Sequence, residues 1–329
     1  MQKKILKVGV IGVGHLGQHH VKHYLGIENI ELCGVYDVNI EQGIYISNKF
    51  KVKVFDSLKE IISVVDAVSI VTPTTFHAKV AEYCIKNKKH VFIEKPITST
   101  IREANKLIQL ADENKVIIQV GHIERLNPAL KALEPYNLKP KFIEIQRLAP
   151  YNTRGTDVPV VLDKMIHDID ILLSLVNADV FSISASGLSI LTDSIDIAHA
   201  RIKFANGCVA SIMSSRIAKD EVRKIKTFQQ NLYTTVDLYK GITEIYKIDN
   251  EQKNKNNYLM KVPFEYNGTK KFIIYEKPEV KQEDALKLEL LNFRNSVNGI
   301  EKPIVSGQAG KEALAVALKI QEKIREDFK

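Results

Sequence analysis

The feature that most constrains this chain is a regular alternation over its first third. Six short apolar runs, at 5–11, 30–36, 52–55, 67–71, 90–93 and 116–120, are separated by helical patterns at 16–25, 41–50, 58–62, 76–86 and 101–114. Two of the helical patterns open on capping boxes, Ser57 with Glu60 and Thr100 with Glu103, in which hydroxyl and carboxylate satisfy orphan backbone donors reciprocally. Strands that are apolar along their whole length are buried on both faces. With intervening helices, that means a parallel sheet covered on each side. The reading is an α/β, doubly wound domain over residues 1–121.

Beyond residue 121 the rhythm changes. A helical stretch at 127–133 is followed by a strand at 141–148 and a long helix at 161–176. From 181 to 275 the chain is mostly strands, with turn signals at Ala205-Asn206-Gly207 and Asn267-Gly268; the latter, between alternating arms, predicts a hairpin. Two helices close the chain, 283–297 with Gly299 just beyond it, and 308–325. Runs of strands flanked by helices predict an α+β domain over 122–329 with a largely antiparallel sheet, onto which or back onto the first domain helix 308–325 can pack. A length of 329 residues suits two domains, and 45% hydrophobic with 26% charged residues supplies a core for each.

Composition removes several function classes. No apolar stretch approaches the roughly 20 residues needed to cross a bilayer. The basic-then-apolar start resembles a signal peptide, but three glycines and His15 interrupt it and it reads as a first buried strand. Cys33, Cys84 and Cys208 are too few and too scattered for a disulfide framework or a zinc site, so a reducing cytoplasm is expected. Lys and Arg number 47 against 39 Asp and Glu, a net charge of +8. That excess is spread thinly, without zinc-finger spacing, aromatic–basic interleaving or a basic helix, so neither nucleic acid nor membrane is expected as a partner.

Gly12-Val13-Gly14-His15-Leu16-Gly17 is a G-x-G-x-x-G sequence that leaves an apolar strand and opens a helix. A second strand then ends in Asp37, 20 residues after Gly17. Gly12 allows the tight turn, Gly14 lets backbone approach a pyrophosphate, and Gly17 permits close helix–strand packing. The helix N-terminus then offers N–H groups to the phosphates. Asp37 can accept from both ribose hydroxyls and repels a 2′-phosphate; no arginine follows to reverse that preference, so NAD is expected over NADP. His15 and the turn Thr72-Pro73-Thr74, at the carboxyl end of the fourth run, are further candidates to contact the cofactor.

The fifth run leads into Glu94-Lys95-Pro96. Carboxyl ends of strands in such sheets face the ligand crevice, which puts Lys95 beside the nicotinamide, where its ammonium can stabilise charge on a substrate oxygen. In the helix after Val161, Asp163, His167, Asp170 and Ser174 fall at i, i+4, i+7 and i+11, a polar stripe beside an apolar face. A carboxylate four residues before an imidazole can orient the ring or share its substrate contacts, and His suits proton transfer near neutrality. A partly buried histidine satisfied by neighbouring carboxylates has the same pattern. No third ligand accompanies H-x-x-D, so no metal is expected. Arg125, Arg147, Arg154 and Arg216 are candidates for gripping a diphosphate, and each is as well suited to a surface ion pair.

These motifs together resemble the Gfo/Idh/MocA family of sugar dehydrogenases over essentially the whole chain. The matching pieces are Gly12–Gly17, Val71-Thr72-Pro73-Thr74 followed by His77, the 90–96 string ending Glu94-Lys95-Pro96, and the Asp163–His167 pair. The resemblance implies a Rossmann NAD domain, a catalytic set of Lys95, Asp163 and His167, and a cis bond at Lys95–Pro96. It adds Leu16, His77 and Glu94 to the cofactor contacts. It also implies an open second sheet, in a domain that binds substrate, with a free face that makes a homodimer or homotetramer. Longer strings, at 121–128, 154–157 and 165–170, and the 208–216 strand, resemble the bacterial UDP-N-acetylglucosamine 3-dehydrogenase branch. That branch implies Asn127 among the substrate contacts, oxidation of the sugar 3-hydroxyl, and a partner aminotransferase in lipid A-type lipopolysaccharide biosynthesis. Leu126 and Lys164 depart from the branch pattern. An inositol or free-sugar dehydrogenase of the same family, or a non-catalytic NAD sensor, are the alternatives.

Overall fold

The computed structural model describes residues 5–152, 158–249 and 258–327, which fall into two compact units. The first unit comprises Met1–Ile123 with Asp284–Ala315, and the second Glu124–Glu283 with Val316–Lys329.

In the first unit β1 (Leu6–Ile11), β2 (Ile30–Tyr36), β3 (Ala67–Ile70), β4 (His90–Glu94) and β5 (Ile118–Gly121) form a parallel sheet in the order β2-β1-β3-β4-β5. Helices α1 (Gly17–Tyr24), α2 (Ile40–Phe50), α3 (Leu58–Val64), α4 (Thr74–Lys86) and α5 (Ile101–Asn114) connect them. β3 and β5 are buried at every position, as strands covered on both faces must be. Thr100 makes both halves of its capping box, whereas Ser57 accepts the Glu60 N–H alone. The expected strand at 52–55 is no sixth member of the sheet. It touches β2 at a single bridge, Val35 to Val54, because the five residues between left-handed Lys51 and the Ser57 cap leave no length for a ladder.

The first unit also claims a segment that the sequence assigned to the second domain. Helix α8 (Ala285–Val297), capped by Asp284, sends Leu286, Leu290 and Phe293 into the core cluster of β1 and α1. Its i, i+4, i+7 apolar face declares burial without declaring the partner. Further on, Val120 N–H donates to the Val305 carbonyl at 2.9 Å and Gln119 bridges Ser306, so the β5 edge is covered.

In the second unit β6 (Phe142–Leu148) through β14 form a nine-stranded sheet in the order β13-β14-β12-β11-β10-β6-β9-β8-β7. Its other strands are β7 (Val180–Leu188), β8 (Ile197–Phe204), β9 (Val209–Ser215), β10 (Val222–Gln229), β11 (Leu232–Asp237), β12 (Ile242–Asp249), β13 (Met260–Tyr266) and β14 (Thr269–Glu276). Among the described residues of this sheet, β6 and β9 alone pair in parallel. The expected hairpin joins β13 to β14, with φ of 50° at Asn267 and 69° at Gly268, the two positive values a type I′ turn requires. Ile143, Ile145, Ile212 and Ile225 are buried on one face. The other carries a row of rings, Phe142, Phe228, Tyr233, Tyr246 and Tyr275, across five adjacent strands at centroid spacings of 4.7–5.8 Å.

Helical segments of this unit are a 3-10 turn at Ile123–Leu126, the short α6 (Pro128–Lys131), and α7 (Ile166–Val176) preceded by a π-helical turn at Val161–Met165. Helix α9 (Gly307–Asp327) closes the chain. No described helix is long and apolar enough to cross a membrane.

Candidate active site

The cradle of the first unit is built mainly from backbone. β1 delivers Gly12 at its carboxyl end with φ +85°, and a Cβ there would stand 2.7 Å from the Val71 carbonyl oxygen. A Cβ on Gly17 would stand 2.0 Å from the Gly12 carbonyl oxygen, so α1 can begin this close to the turn only from glycine. At Gly14 nothing lies within 4 Å of the Cβ position, which leaves the turn open to a ligand. Leu16, the N-cap of α1, makes no side-chain cap, and the first turn carries no acidic residue. An uncapped, uncompensated helix start is suited to phosphate. Asp37, just past β2, is fixed by two backbone donors, Val13 N–H on Oδ2 at 2.8 Å and Asn39 N–H on Oδ1 at 2.9 Å. Each carboxylate oxygen keeps a further lone pair for a ribose hydroxyl. These residues fit a dinucleotide.

A cavity of about 460 Å³ opens along these strand ends. Gly12, Gly14, Leu16, Asp37, Thr72, Pro73, Glu94 and Lys95, all expected at the cofactor, line it. His15, Gly17, Thr74 and His77 do not. His15 is exposed, with its ring edge-on to His19 at 5.7 Å. Gly17 packs the turn, and Thr74 begins α4. His77 is buried behind the wall, its Nδ1 2.9 Å from the Pro96 carbonyl oxygen and its Nε2 2.8 Å from that of Thr72. It ties together the turns after β3 and β4. Burial pushes its pKa down, against the two carbonyl acceptors. Tyr36, Val38 and Phe76 also stand in the wall, with Ile11, Val71 and Val80, and were not singled out from the sequence. Val38 is 89% exposed directly after Asp37, and Phe76 is 53% exposed two residues after Thr74. Apolar side chains left in water beside a polar motif were the available signal. The Lys95–Pro96 bond is cis.

The second unit carries Asp163 and His167, the other two residues expected in the catalytic set. The π-helical turn at Val161–Met165 precedes α7, so the polar residues do not keep the even stripe expected of one continuous α-helix. Asp163 is one-third exposed, with Lys164 Nζ 3.9 Å from its Oδ2. His167 is half-buried. Asp170 is buried and takes a two-pronged bond from Arg125, Nε to Oδ2 at 2.8 Å and Nη2 to Oδ1 at 2.7 Å. Ser174, still exposed, donates to the Ile171 carbonyl.

Asp168, adjacent to His167, is the residue the sequence did not single out. It is buried and receives Arg147 through Nε at 2.9 Å and Nη2 at 2.8 Å, while Arg147 Nη1 donates to Glu124 at 2.9 Å. Glu124 accepts in turn from Asn127 and Arg223, each at 3.1 Å. Burial raises the Asp168 pKa against the pull of Arg147. Glu124, though buried too, is held below its ordinary value by Arg147.

Four of the five expected substrate contacts are therefore engaged within the chain. Arg125 and Arg147 hold Asp170 and Asp168. Arg216 donates to the Val158 carbonyl and lies 3.8 Å from Asp196. Asn127 caps α6 through the Ala129 N–H. Arg154 lies outside the described residues, as do the others of its 154–157 string. Diphosphate grip and ion pair were both open for these arginines, because sequence shows the cation and hides its partner.

Residues 6–122 match the model of the Gfo/Idh/MocA oxidoreductase family, NAD-binding Rossmann fold. The chain is 34% identical over 317 residues to UDP-N-acetylglucosamine 3-dehydrogenase of Acidithiobacillus ferrooxidans, covering 96% of each chain. A solved structure of the A. ferrooxidans enzyme superposes with a TM-score of 0.88 at 33% identity, covering 98% of this chain and 99% of that one. Myo-inositol 2-dehydrogenase of Thermotoga maritima is 25% identical, over 98% of this chain and 97% of its own.

Proposed function

Because the chain belongs to the Gfo/Idh/MocA oxidoreductase family, we propose that it oxidises a secondary hydroxyl of a nucleotide sugar, UDP-N-acetylglucosamine at its 3-position, with NAD as acceptor. One observation carries the substrate: the 34% identity extends through both units, over 96% of each chain, so it includes the half that would hold the sugar. The fixed Asp37 carboxylate in the cavity wall supports NAD over NADP, because a 2′-phosphate there would face an anion.

Bound NAD would supply the hydride acceptor. The chain's own residues do the rest. Lys95, leaving β4 into the cavity wall, hydrogen-bonds the reacting oxygen and stabilises its growing negative charge. His167 takes the hydroxyl proton, and Asp163 orients the substrate or His167. Lys95 and His167 are both candidate bases, and the pH profiles of their single variants separate them. The 3-ketone suits transamination by a partner aminotransferase, in the lipid A-type pathway that the resemblance implies. The aromatic row on the second sheet supports assembly as a homodimer or homotetramer. A cytoplasmic setting agrees with three free cysteines.

A second reading, an inositol dehydrogenase, draws on the full-length match to the T. maritima enzyme at 25% identity. Substrate deuterated at C3 of the N-acetylglucosamine decides the position of attack. Deuterium should appear in the reduced cofactor; oxidation that leaves the label in the sugar would overturn 3-oxidation.

A further inference from the structure

A buried pair behind the cofactor cavity is unexplained by the glycine fingerprint. His20 of α1 is fully buried, and its Nε2 stands 3.1 Å from Oε1 of Glu94, the last residue of β4. A carboxylate only accepts, so Nε2 carries the hydrogen and donates it. Nδ1 has no hydrogen-bond partner among the described residues. The ring is wedged edge-on against Phe92 at 5.3 Å, and Phe92 meets Phe293 at 5.8 Å. Packing thus fixes the imidazole, and its one polar bond is directed at Glu94.

Glu94 is held from other sides as well. Its Oε2 accepts the Lys95 backbone N–H at 3.3 Å, and a Cβ on Gly121 would stand 2.8 Å from Oε1, so glycine there makes room for the carboxylate. Only 8% exposed, Glu94 is nonetheless part of the cavity wall beside Lys95. Resting on the reading of this cavity as the dinucleotide site, we propose that His20 is a positioning residue. It holds Glu94 as a fixed acceptor for a hydroxyl or amide N–H of the bound cofactor, and through Glu94 it steadies the backbone at Lys95. An acceptor already in place loses no rotamer freedom when the ligand arrives.

The test is NADH affinity, measured by calorimetry on the whole chain, for two amides of different reach. In His20→Gln the amide nitrogen reaches the place of Nε2; in His20→Asn it stops near that of Nδ1. His20→Asn should weaken NADH binding about tenfold, as loss of a hydrogen bond to a charged group does, while His20→Gln stays within about twofold of wild type. The apparent KM for NAD should follow the same order with the KM for the sugar unmoved. Glu94→Gln should also weaken binding, and adding His20→Asn to it should weaken binding no further. Should His20→Asn not fold, His20→Leu takes its place. Equal losses for Asn and Gln, or additive losses with Glu94→Gln, would reduce His20 to packing and overturn the proposal. Wild-type protein that binds NADH without oxidising a nucleotide sugar overturns the substrate reading and leaves this comparison standing. Failure to bind NADH overturns both.

Discussion

The two sheets position their functional groups by different physics. In the parallel sheet the site lies where strands end, and its shape comes from backbone. The Gly12 turn, the Gly17 approach and the uncapped start of α1 need absent side chains more than present ones. In the nine-stranded sheet the helix bearing His167 begins over a buried cluster, where Arg147 from β6 binds Asp168 and Glu124. Position there depends on side-chain charges far apart in sequence. The difference predicts opposite sensitivities: the first region breaks when an atom is added, the second when a charge is removed.

The largest effect tests the chemistry where the backbone-built site delivers it. Lys95→Ala should lower kcat by about a thousandfold, within the range of a positioned proton-transfer or charge-stabilising group, with NADH affinity nearly unchanged by calorimetry. Unchanged turnover would remove Lys95 from the catalytic set. Arg147→Met takes the cation away from buried Asp168 and leaves Glu124 with Arg223, and should cost about 3–5 kcal/mol in urea unfolding. Exchanging Glu124 and Asp168 for Gln and Leu as well should recover much of that loss, since a buried ion cluster is worth little over good packing.

A third variant sharpens the account of the second region through pH. Asp196 is fully buried, and although burial opposes it, the Thr192 hydroxyl and the N–H groups of Ile190, Leu191 and Thr192 hold its pKa down at about 2, from 3.8. A depressed carboxylate stabilises the fold above its unfolded value and loses that contribution as pH falls through the folded one. Asp196→Asn should therefore cost about 2 kcal/mol at neutral pH, with the gap closing as the wild-type group protonates. The smallest effect returns to the backbone site. Gly17→Ala forces its Cβ against the Gly12 carbonyl oxygen and should weaken NADH binding about tenfold, a loss of about 1.4 kcal/mol, with little change in the second unit.

How much was legible in the sequence follows the same division. The parallel strands, the fingerprint and Asp37 lie within 37 residues or repeat regularly, so local pattern suffices. Four apolar residues at 52–55 have a strand's composition, but pairing is a property of neighbours, and only one bridge forms. Helical periodicity ran through Val161–Met165 because a π-turn has no compositional mark. Arg147 meets Asp168 across 21 residues and Arg125 meets Asp170 across 45, distances at which sequence names a cation without naming its partner. His77 was placed among the cofactor contacts by the family resemblance; its ring turns to the carbonyls of Pro96 and Thr72.

The central claim is hydride transfer from a nucleotide sugar, and the most direct measurement is NADH formation from NAD and UDP-N-acetylglucosamine. Because oxidation of a secondary alcohol by NAD runs uphill, the ketone is drained by a glutamate-dependent aminotransferase or a hydrazine trap. NADH should accumulate with the drain present, depend on the UDP moiety, and be absent with free N-acetylglucosamine. No NADH from the nucleotide sugar, together with steady turnover of inositol or a free hexose, would contradict that claim.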